Sequence, residues 1–354
     1  MPKILHLTDC ETGGVPAVID TILDHIPGYV AFVGRTANQF RHQEEVIANL
    51  KSERTKNPIK AFRNLAKLVS QLEKLDFSLI HAHSSFGGVY GAALSLRLKL
   101  PLIYSPHATP AMIQKKSLSD WVVSKAEIFT CIQSTAVIAC SEDEQSAIKS
   151  LHSKTRTIVI PNGIKLEKPV TTTLDWDLLA VGRICSQKRP DLFLTLTSAI
   201  REEIPNLRVA WVGPGLYTSS DPALSKEAKK IDWLGEVSEA EVNRLLATTR
   251  VFVSTSDYEG LSLASIKAAA SGCFLLLRDA PGTRAPVQMG AAGLLFKTPE
   301  AAAAAAIPMI KTSSSTFLES ATSRTAIGQE IFGVERQIRQ LGDLYAQFVC
   351  QKND

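Results

Sequence analysis

The chain lacks any cysteine pair at the spacing of a metal ligand set or a CxxC redox motif: its six cysteines stand at 10, 131, 140, 185, 273 and 350. Thiols scattered in this way are expected to be reduced, as in the cytosol. No apolar stretch approaches the roughly 20 residues that a membrane-spanning helix needs. The first apolar run stops at Asp9 and Glu11, which is not a signal-peptide pattern. The glycine pair after that run is not GxGxxG, so a dinucleotide fingerprint is missing. Neither sign of charge dominates, since 39 Lys and Arg face 35 Asp and Glu for a formal net charge of +4.

What remains is globular, with 45% hydrophobic and 21% charged residues. A chain of 354 residues is too long for one ordinary core and suits two domains. Short apolar runs recur in the first half: "KILHLT", "YVAFVG", "SLIHAH", "LIYSPH", "AVIAC" and "TIVIPNG". Helical patterns lie between them, at Val15–Ile26, Pro58–Leu75 and Ser117–Thr135 among others. Continuous apolar strands alternating with helices predict a parallel sheet covered on both faces. The polar stretch 165–177 reads as a linker. The alternation then restarts with "LLAVG", "RVAWVG", "IDWLG", "VFVSTS" and "CFLLLRD". Ser141 with Glu144, and Ser238 with Glu241, have capping-box spacing. Thr298–Pro299 ahead of the alanine run 301–306 suits a helix start, and a long helical pattern around Val334–Phe348 closes the chain.

The fold class is therefore α/β, with two doubly wound Rossmann-like domains. Ligands in such sheets sit at the carboxyl ends of the strands, and two such domains facing across a cleft are expected to hold a small molecule. Candidate residues follow strands. Gly13 and Gly14 let a ligand approach the backbone at a helix start, or simply make a tight turn. His107 ends a strand and suits a substrate hydroxyl or phosphate, or a structural role. Arg183 and Lys188, in "AVGRICSQKRPD", suit a diphosphate as a guanidinium fork plus a point charge, with Arg189 expected on the outside. Glu259 precedes a helix and could accept bonds from sugar hydroxyls, while the amides of Leu261, Ser262 and Leu263 could receive phosphate oxygens. Lys267 lies eight residues on, a helical rise of about 12 Å. Asp175 and Asp177, in "DWD", have a metal-nucleotide spacing but stand before a strand, so we read them as structural. Residues 35–67 carry eight basic residues (Arg35, Arg41, Lys51, Arg54, Lys56, Lys60, Arg63, Lys67) and three acidic ones (Glu44, Glu45, Glu53). Such a stretch suits a solvated helical face or an anionic membrane surface.

Taken in order, "ILHLTDCETGGV", "IHAHSSFGGVYG", "YSPHATP", "VIACSEDE", "VIPNGI", "VGRICSQKRPD", "EGLSLASIKAAASG" and "FGVERQIRQLGDLYAQF" resemble the retaining glycosyltransferases of family 4 (glycosyl transferases group 1), which have the GT-B fold. The resemblance implies an acceptor domain at 1–164, a donor domain at 165–333, and a final helix, 334–354, packing back on the first. It implies a nucleotide-sugar donor, no metal or other cofactor, and a glycan or lipid-linked glycan acceptor in bacterial polysaccharide or lipopolysaccharide assembly. It places Arg183 and Lys188 at the phosphates, Glu259 at the sugar, and Gly13, Gly14 and His107 in the cleft. The protein is then expected to be cytoplasmic, with peripheral membrane contact through 35–67 and no nucleic-acid partner. One departure stands out. The family's second glutamate, eight residues after the first, is Lys267 here, and an ammonium offers no acceptor to a ribose diol. A degenerate, non-catalytic family member that binds or supports a partner is the alternative.

Overall fold

The computed structural model describes residues 3–11, 13–34, 40–50, 58–113, 118–165 and 173–350. The chain forms two compact units, Met1–Gly163 joined by Val334–Asp354, and Ile164–Gly333.

The first unit opens with β1 (Ile4–Thr8), α1 (Gly14–Leu23), β2 (Gly28–Phe32), β3 (Val46–Asn49) and α2 (Pro58–Leu72). It continues through β4 (Leu79–His83), α3 (Ser85–Leu98), β5 (Leu102–Ser105) and α4 (Leu118–Gln133). It ends with β6 (Ala136–Ala139), α5 (Glu142–Leu151) and β7 (Thr157–Val159). The second unit begins with β8 (Trp176–Val181), α6 (Pro190–Glu203), β9 (Val209–Val212), α7 (Pro222–Ala228) and β10 (Asp232–Gly235). Next come α8 (Glu239–Ala247), β11 (Thr249–Ser254), α9 (Leu263–Ala270) and β12 (Phe274–Arg278). The last elements of that unit are α10 (Ala285–Gln288), β13 (Gly293–Phe296), α11 (Pro299–Lys311) and α12 (Ser314–Phe332). Helix α13 (Val334–Cys350) returns to the first unit, where Tyr345 donates or accepts at Nδ1 of His81 across 2.6 Å.

All strand pairs are parallel, in the orders β3-β2-β1-β4-β5-β6-β7 and β10-β9-β8-β11-β12-β13. Ile4 pairs with Gly28 on one side and Leu79 on the other, so every residue of β1 is buried. This is why the central strands read as unbroken apolar runs. The cores lie between sheet and helices: Leu5, Ile80 and Tyr104 against Leu68, Leu72 and Leu94 in the first unit, and Leu178, Trp211 and Val251 against Phe193, Leu196 and Ala302 in the second. Each large apolar side chain so buried contributes about 1.5–3 kcal/mol.

The capping residues behave as their spacing predicts on one side. Ser141, Ser238 and Thr298 accept from the amides of Glu144, Glu241 and Ala301. The linker reading needs one correction, because Trp176 and Asp177 already belong to β8. Asp177 is buried and accepts from the Arg208 amide at 2.9 Å and its Nη2 at 3.0 Å, while Asp175 pairs with Arg244 at 3.4 Å. Both aspartates are thus engaged in ion pairs inside the second unit. Of the basic residues in 35–67, Arg35, Lys51, Arg54 and Lys56 lie outside the described residues. Arg41 is bound to Asp24 at 2.9 Å, and Lys60, Arg63 and Lys67 are carried by α2.

Candidate active site

In both sheets the strand order reverses at the first strand, between β1 and β4 and between β8 and β11. The segments leaving these strands diverge there and leave a crevice, which is where doubly wound sheets take ligands.

In the second unit the crevice is flanked by the segment 182–189 after β8 and the segment 255–262 after β11. Side-chain and backbone bonds knit the two together. Thr255 donates its hydroxyl to the Lys188 carbonyl at 2.7 Å, the Asp257 amide donates to the Gln187 carbonyl at 2.8 Å, and Gln187 donates to the Tyr258 carbonyl at 2.9 Å. This closure brings Lys188 Nζ to 2.5 Å from Glu259 Oε1, with both side chains mostly buried. Gly282, at φ +68°, completes the floor: a Cβ there would stand 1.7 Å from the Glu259 carbonyl oxygen. Glu259 is therefore held from both sides.

Beside it, Gly260, Leu261 and Ser262 are buried, yet the amides of Gly260, Leu261, Ser262 and Leu263 find no acceptor among the described residues. Ser262 caps α9 through its hydroxyl, which serves the Ser265 amide only. Buried amides are almost always satisfied, so the open ones of these three buried residues, with that of Leu263 beside them at a helix start, form a place for an anion. Arg183 is exposed, and its guanidinium has no hydrogen-bond or ion-pair partner among the described residues.

Arg189 departs from expectation. It is half-buried at φ +49°, and its guanidinium joins Asp191 at 2.6 Å and Asp257 at 3.2 Å, with Arg278 also on Asp257. The hydrogen bond to Asp191 is the main reason that its pKa is raised. Lys267 does not point at open solvent either. Its ammonium is bonded to Glu239 at the start of α8, which remains largely exposed.

In the first unit the Gly13–Gly14 turn begins α1, and Gly13 takes φ +92°, a value that favours glycine. Across the crevice Asp9 is buried and accepts from the Ser84 hydroxyl and, at 3.2 Å, from the Gly87 amide. His107 follows β5 at φ +56°, and Ala108 after it has φ +94°. Two left-handed non-glycine residues in succession are strained and need outside support. Glu144 gives it. This fully buried carboxylate accepts from the amides of Ala108 at 2.6 Å, Thr109 at 3.2 Å and Cys140 at 2.7 Å. Burial raises its pKa, and the three amides oppose that rise.

The His107 ring is committed inward. Its Nε2 lies 3.0 Å from His83 Nδ1, and its Nδ1 lies 3.6 Å from Cys140 Sγ. His83 Nε2 in turn meets His6 Nδ1 at 3.1 Å. Burial lowers the pKa of His107 to about 4 and that of His6 to about 3, and holds His81 and His83 well below the usual range. All four are neutral at pH 7. Three of them, His6, His81 and His83, have ring nitrogens within 4.8 Å of one another. They do not fit a shared metal ion. His6 and His83 aim their nitrogens at each other instead of converging on a third point. Both nitrogens of His81 are taken, by Tyr345 at 2.6 Å and Ser105 at 2.8 Å.

Of the residues singled out in the sequence, Arg183, Lys188 and Glu259 thus stand at the crevice of the second unit, and Gly13, Gly14 and His107 follow strands of the first; His6, His83, Asp9 and the reach of Glu144 were not singled out. The "HAH" spacing on a buried strand, which puts both histidines on one face, was the available signal.

Comparison with known proteins falls on the same regions. The family model "Glycosyl transferases group 1" matches residues 165–321, and "Glycosyltransferase Family 4" matches 28–168. An Escherichia coli UDP-Gal:alpha-D-GlcNAc-diphosphoundecaprenol alpha-1,3-galactosyltransferase is 26% identical over 68% of this chain and 67% of its own length. The Escherichia coli O-antigen biosynthesis glycosyltransferase WbnH is 25% identical over 62% of this chain and 64% of its own. The matched region thus spans about two thirds of these relatives. Among solved structures, Anabaena Alr3699/HepE in complex with UDP and glucose has a TM-score of 0.78 at 19% identity, covering 98% of this chain and 100% of that one. Sucrose-phosphate synthase from Thermosynechococcus elongatus has a TM-score of 0.76 at 19% identity, covering 99% and 100%.

Proposed function

Because the chain belongs to the family 4 glycosyltransferases of the GT-B fold, we propose that it moves a sugar from a nucleotide-sugar donor to a hydroxyl acceptor with retention of configuration. One observation carries this reading. An exposed guanidinium and four amides, all without a partner among the described residues, and a lysine–glutamate pair follow the two strands at the switch point of a single sheet.

The three parts suit the three parts of such a donor. Arg183, Lys188 and the amides of Leu261, Ser262 and Leu263 offer donors to a diphosphate. Glu259, next to them, accepts from hydroxyls of the sugar. In the first unit, His107 and the Gly13–Gly14 turn are assigned to the sugar and its acceptor. The acceptor oxygen attacks the anomeric carbon on the face from which the diphosphate leaves. The carbon–oxygen bond to the diphosphate breaks as the new one forms, and the departing oxygen takes the acceptor's proton. Fixed donors around the developing charge are the largest source of rate in such a step. They supply the counter-charge here, so we read the transfer as metal-independent, with no cofactor beyond the donor itself.

The relatives named above act in O-antigen assembly or on a diphosphoundecaprenol-linked sugar, which supports a glycan or lipid-linked glycan acceptor and a role in bacterial surface polysaccharide or lipopolysaccharide. No helix among the described residues is long and apolar enough to cross a membrane. We assign membrane contact to α2, as a peripheral association at the cytoplasmic face. Its outward side carries Arg63, Lys67 and the 71% exposed Phe62.

Lys267 favours a second reading, a non-catalytic binder. Titration calorimetry with UDP, GDP and a panel of nucleotide sugars, followed by a transfer assay, separates the two. Donor binding with hydrolysis or transfer, weakened by Arg183→Ala in a folded protein, supports the first. Binding of no nucleotide sugar rejects it.

A further inference from the structure

We propose that Glu239, aimed by Lys267, is the carboxylate that receives the cis-diol of the donor's ribose, so that the second unit prefers ribonucleotides to their deoxy forms. This rests on the reading of that unit as the donor domain and deepens it.

Helix α9 has one solvent-facing stripe. Of its eight residues Ser265, Ile266, Ala268, Ala269 and Ala270 are buried, which leaves Leu263, Ala264 and Lys267 at the surface. Positions three and four apart share a helix face, so the stripe runs from the open amide of Leu263 down to Lys267. The rise between them is about 6 Å. Helical side chains lean towards the N-terminus, so a long one at 267 covers the turn nearer the amides. A ligand that places its anion at those amides and continues along α9 passes over this stripe. Glu259 stands on the other side of the amides and is assigned to the sugar. In a nucleotide sugar the ribose follows the diphosphate after a single methylene, at the end away from the sugar. The ribose is then the part that meets the stripe.

A ribose diol brings two hydroxyl donors. Leu263 and Ala264 have no polar side-chain atom, and an ammonium has donors and no acceptor. The acceptor comes from the neighbouring helix. α8 packs beside α9, and Glu239 in its first turn is hydrogen-bonded to the Lys267 ammonium. A carboxylate has about four lone-pair positions, so a bond to one ammonium leaves capacity for a diol. The Glu239 side chain is 66% exposed against 21% for Lys267, which makes the carboxylate the member of the pair that a ligand meets first.

Stability gives little reason for this pair, since an exposed ion pair adds little. Glu239 also gains from the positive end of α8 whether or not Lys267 is present. What Lys267 adds is direction, because it draws the carboxylate towards α9. A lysine on the stripe is thus compatible with ribose binding, with the acceptor held one helix away.

Titration calorimetry on the protein tests this with UDP, GDP and ADP, their 2′-deoxy counterparts and inorganic pyrophosphate. For the tightest of the three nucleotides, loss of the 2′-hydroxyl should weaken wild-type binding by about tenfold or more, the scale of one hydrogen bond to a charged group. Glu239→Ala should remove that preference while pyrophosphate binds no more weakly. Lys267→Ala loses only the aim and should keep part of the preference. Adding Lys267→Glu to Glu239→Ala returns a carboxylate to the stripe and should bring the preference back. Equal wild-type affinity for the ribose and 2′-deoxy forms overturns the proposal, as does an undiminished preference in Glu239→Ala. Equal weakening of every ligand by Lys267→Ala, pyrophosphate included, would assign the ammonium to a phosphate and overturn it too. Donor binding by the second unit survives each of these results. Binding of none of the nucleotides removes the donor reading itself, and this inference with it.

Discussion

Glu144 shows how a correct local pattern can hide a larger role. Its spacing from Ser141 predicts a capping box, in which the glutamate reaches back to its own helix start. Ser141 does cap the Glu144 amide, but the carboxylate spans to the segment after β5 and holds the Ala108 and Thr109 amides as well as that of Cys140. Those partners are 36, 35 and 4 residues away, and no window along the chain reveals the first two. The contrast is measurable. Ser141→Ala loses one cap and should cost about 1 kcal/mol. Glu144→Ala strands three amides, two of them under a strained corner, and should cost about 3 kcal/mol at roughly one per bond. Equal losses in urea unfolding would restore the plain capping-box reading. Lys267 is a milder case. Its proposed remoteness from the reacting carbon, and its pairing with the exposed Glu239, make it a modest contributor. Lys267→Ala should cost less than 1 kcal/mol of stability. Its effect on the reaction should fall on donor KM, a few-fold, with kcat kept. Loss of kcat at constant KM would place it in the chemistry.

Among elements, the central strands were legible, and so were two edge strands, β7 and β10, while the edge strands β3 and β13 were not. β1, β4, β5, β8, β11 and β12 are mostly buried and rich in apolar residues because helices cover both faces. β3 and β13 sit at the sheet edges and are four residues long; β3 is mostly half-buried, and β13 leaves Leu294 and Leu295 exposed. The proposed phosphate and sugar residues were legible for a related reason, since each follows a central strand. That Lys188 and Glu259 would pair across 71 positions was not. Helix α2 was legible as a helix, but its direction came only with the fold: Leu68 and Leu72 enter the core, which turns Phe62, Arg63 and Lys67 outward. Two separable effects follow if this face meets a membrane. Arg63→Glu with Lys67→Glu should weaken binding to anionic vesicles by at least about 2 kcal/mol, near 1 per basic residue, and added salt should mimic it. Phe62→Ser should weaken a part that salt does not touch. Equal wild-type binding to neutral and anionic vesicles in a sedimentation assay would reject the assignment.

At the scale of the whole molecule the two units differ most in histidine. All seven histidines of the chain lie at or before residue 152, so the second unit has none. Four of the seven, His6, His81, His83 and His107, are held neutral by burial, with pKa values below the unfolded value near 6.5. The sign follows from proton binding. Below pH 6.5 the unfolded chain takes up protons that the folded one refuses, so stability is lost as pH falls towards the folded values. Each such histidine costs about 1.4 kcal/mol per pH unit in that window, and four together cost about 5. Buried carboxyls oppose them. Glu127 accepts from the Tyr104 hydroxyl at 2.7 Å, and burial pushes its pKa up to about 6 against the lowering effect of its hydroxyl neighbours. Its folded form prefers the proton, so it restores stability as pH falls from about 6 to 4.5, by about 2 kcal/mol in all. Glu144 acts in the same direction. The histidines outweigh a gain of this size within one pH unit. Against a typical domain stability of about 5–15 kcal/mol, the first unit should unfold between roughly pH 4 and 5.5. The second unit should survive, because it has no histidine to bury. Hydrogen exchange followed by mass spectrometry, corrected for intrinsic rates, should show protection lost first in β1, β4 and β5 and kept in β8, β11 and β12. In Glu127→Gln the compensating proton uptake is gone, so stability should fall more steeply between about pH 6 and 4.5 than in the wild type. Simultaneous loss in both units, or earlier loss in the second, would mean that the buried histidines do not govern the acid limit of this fold.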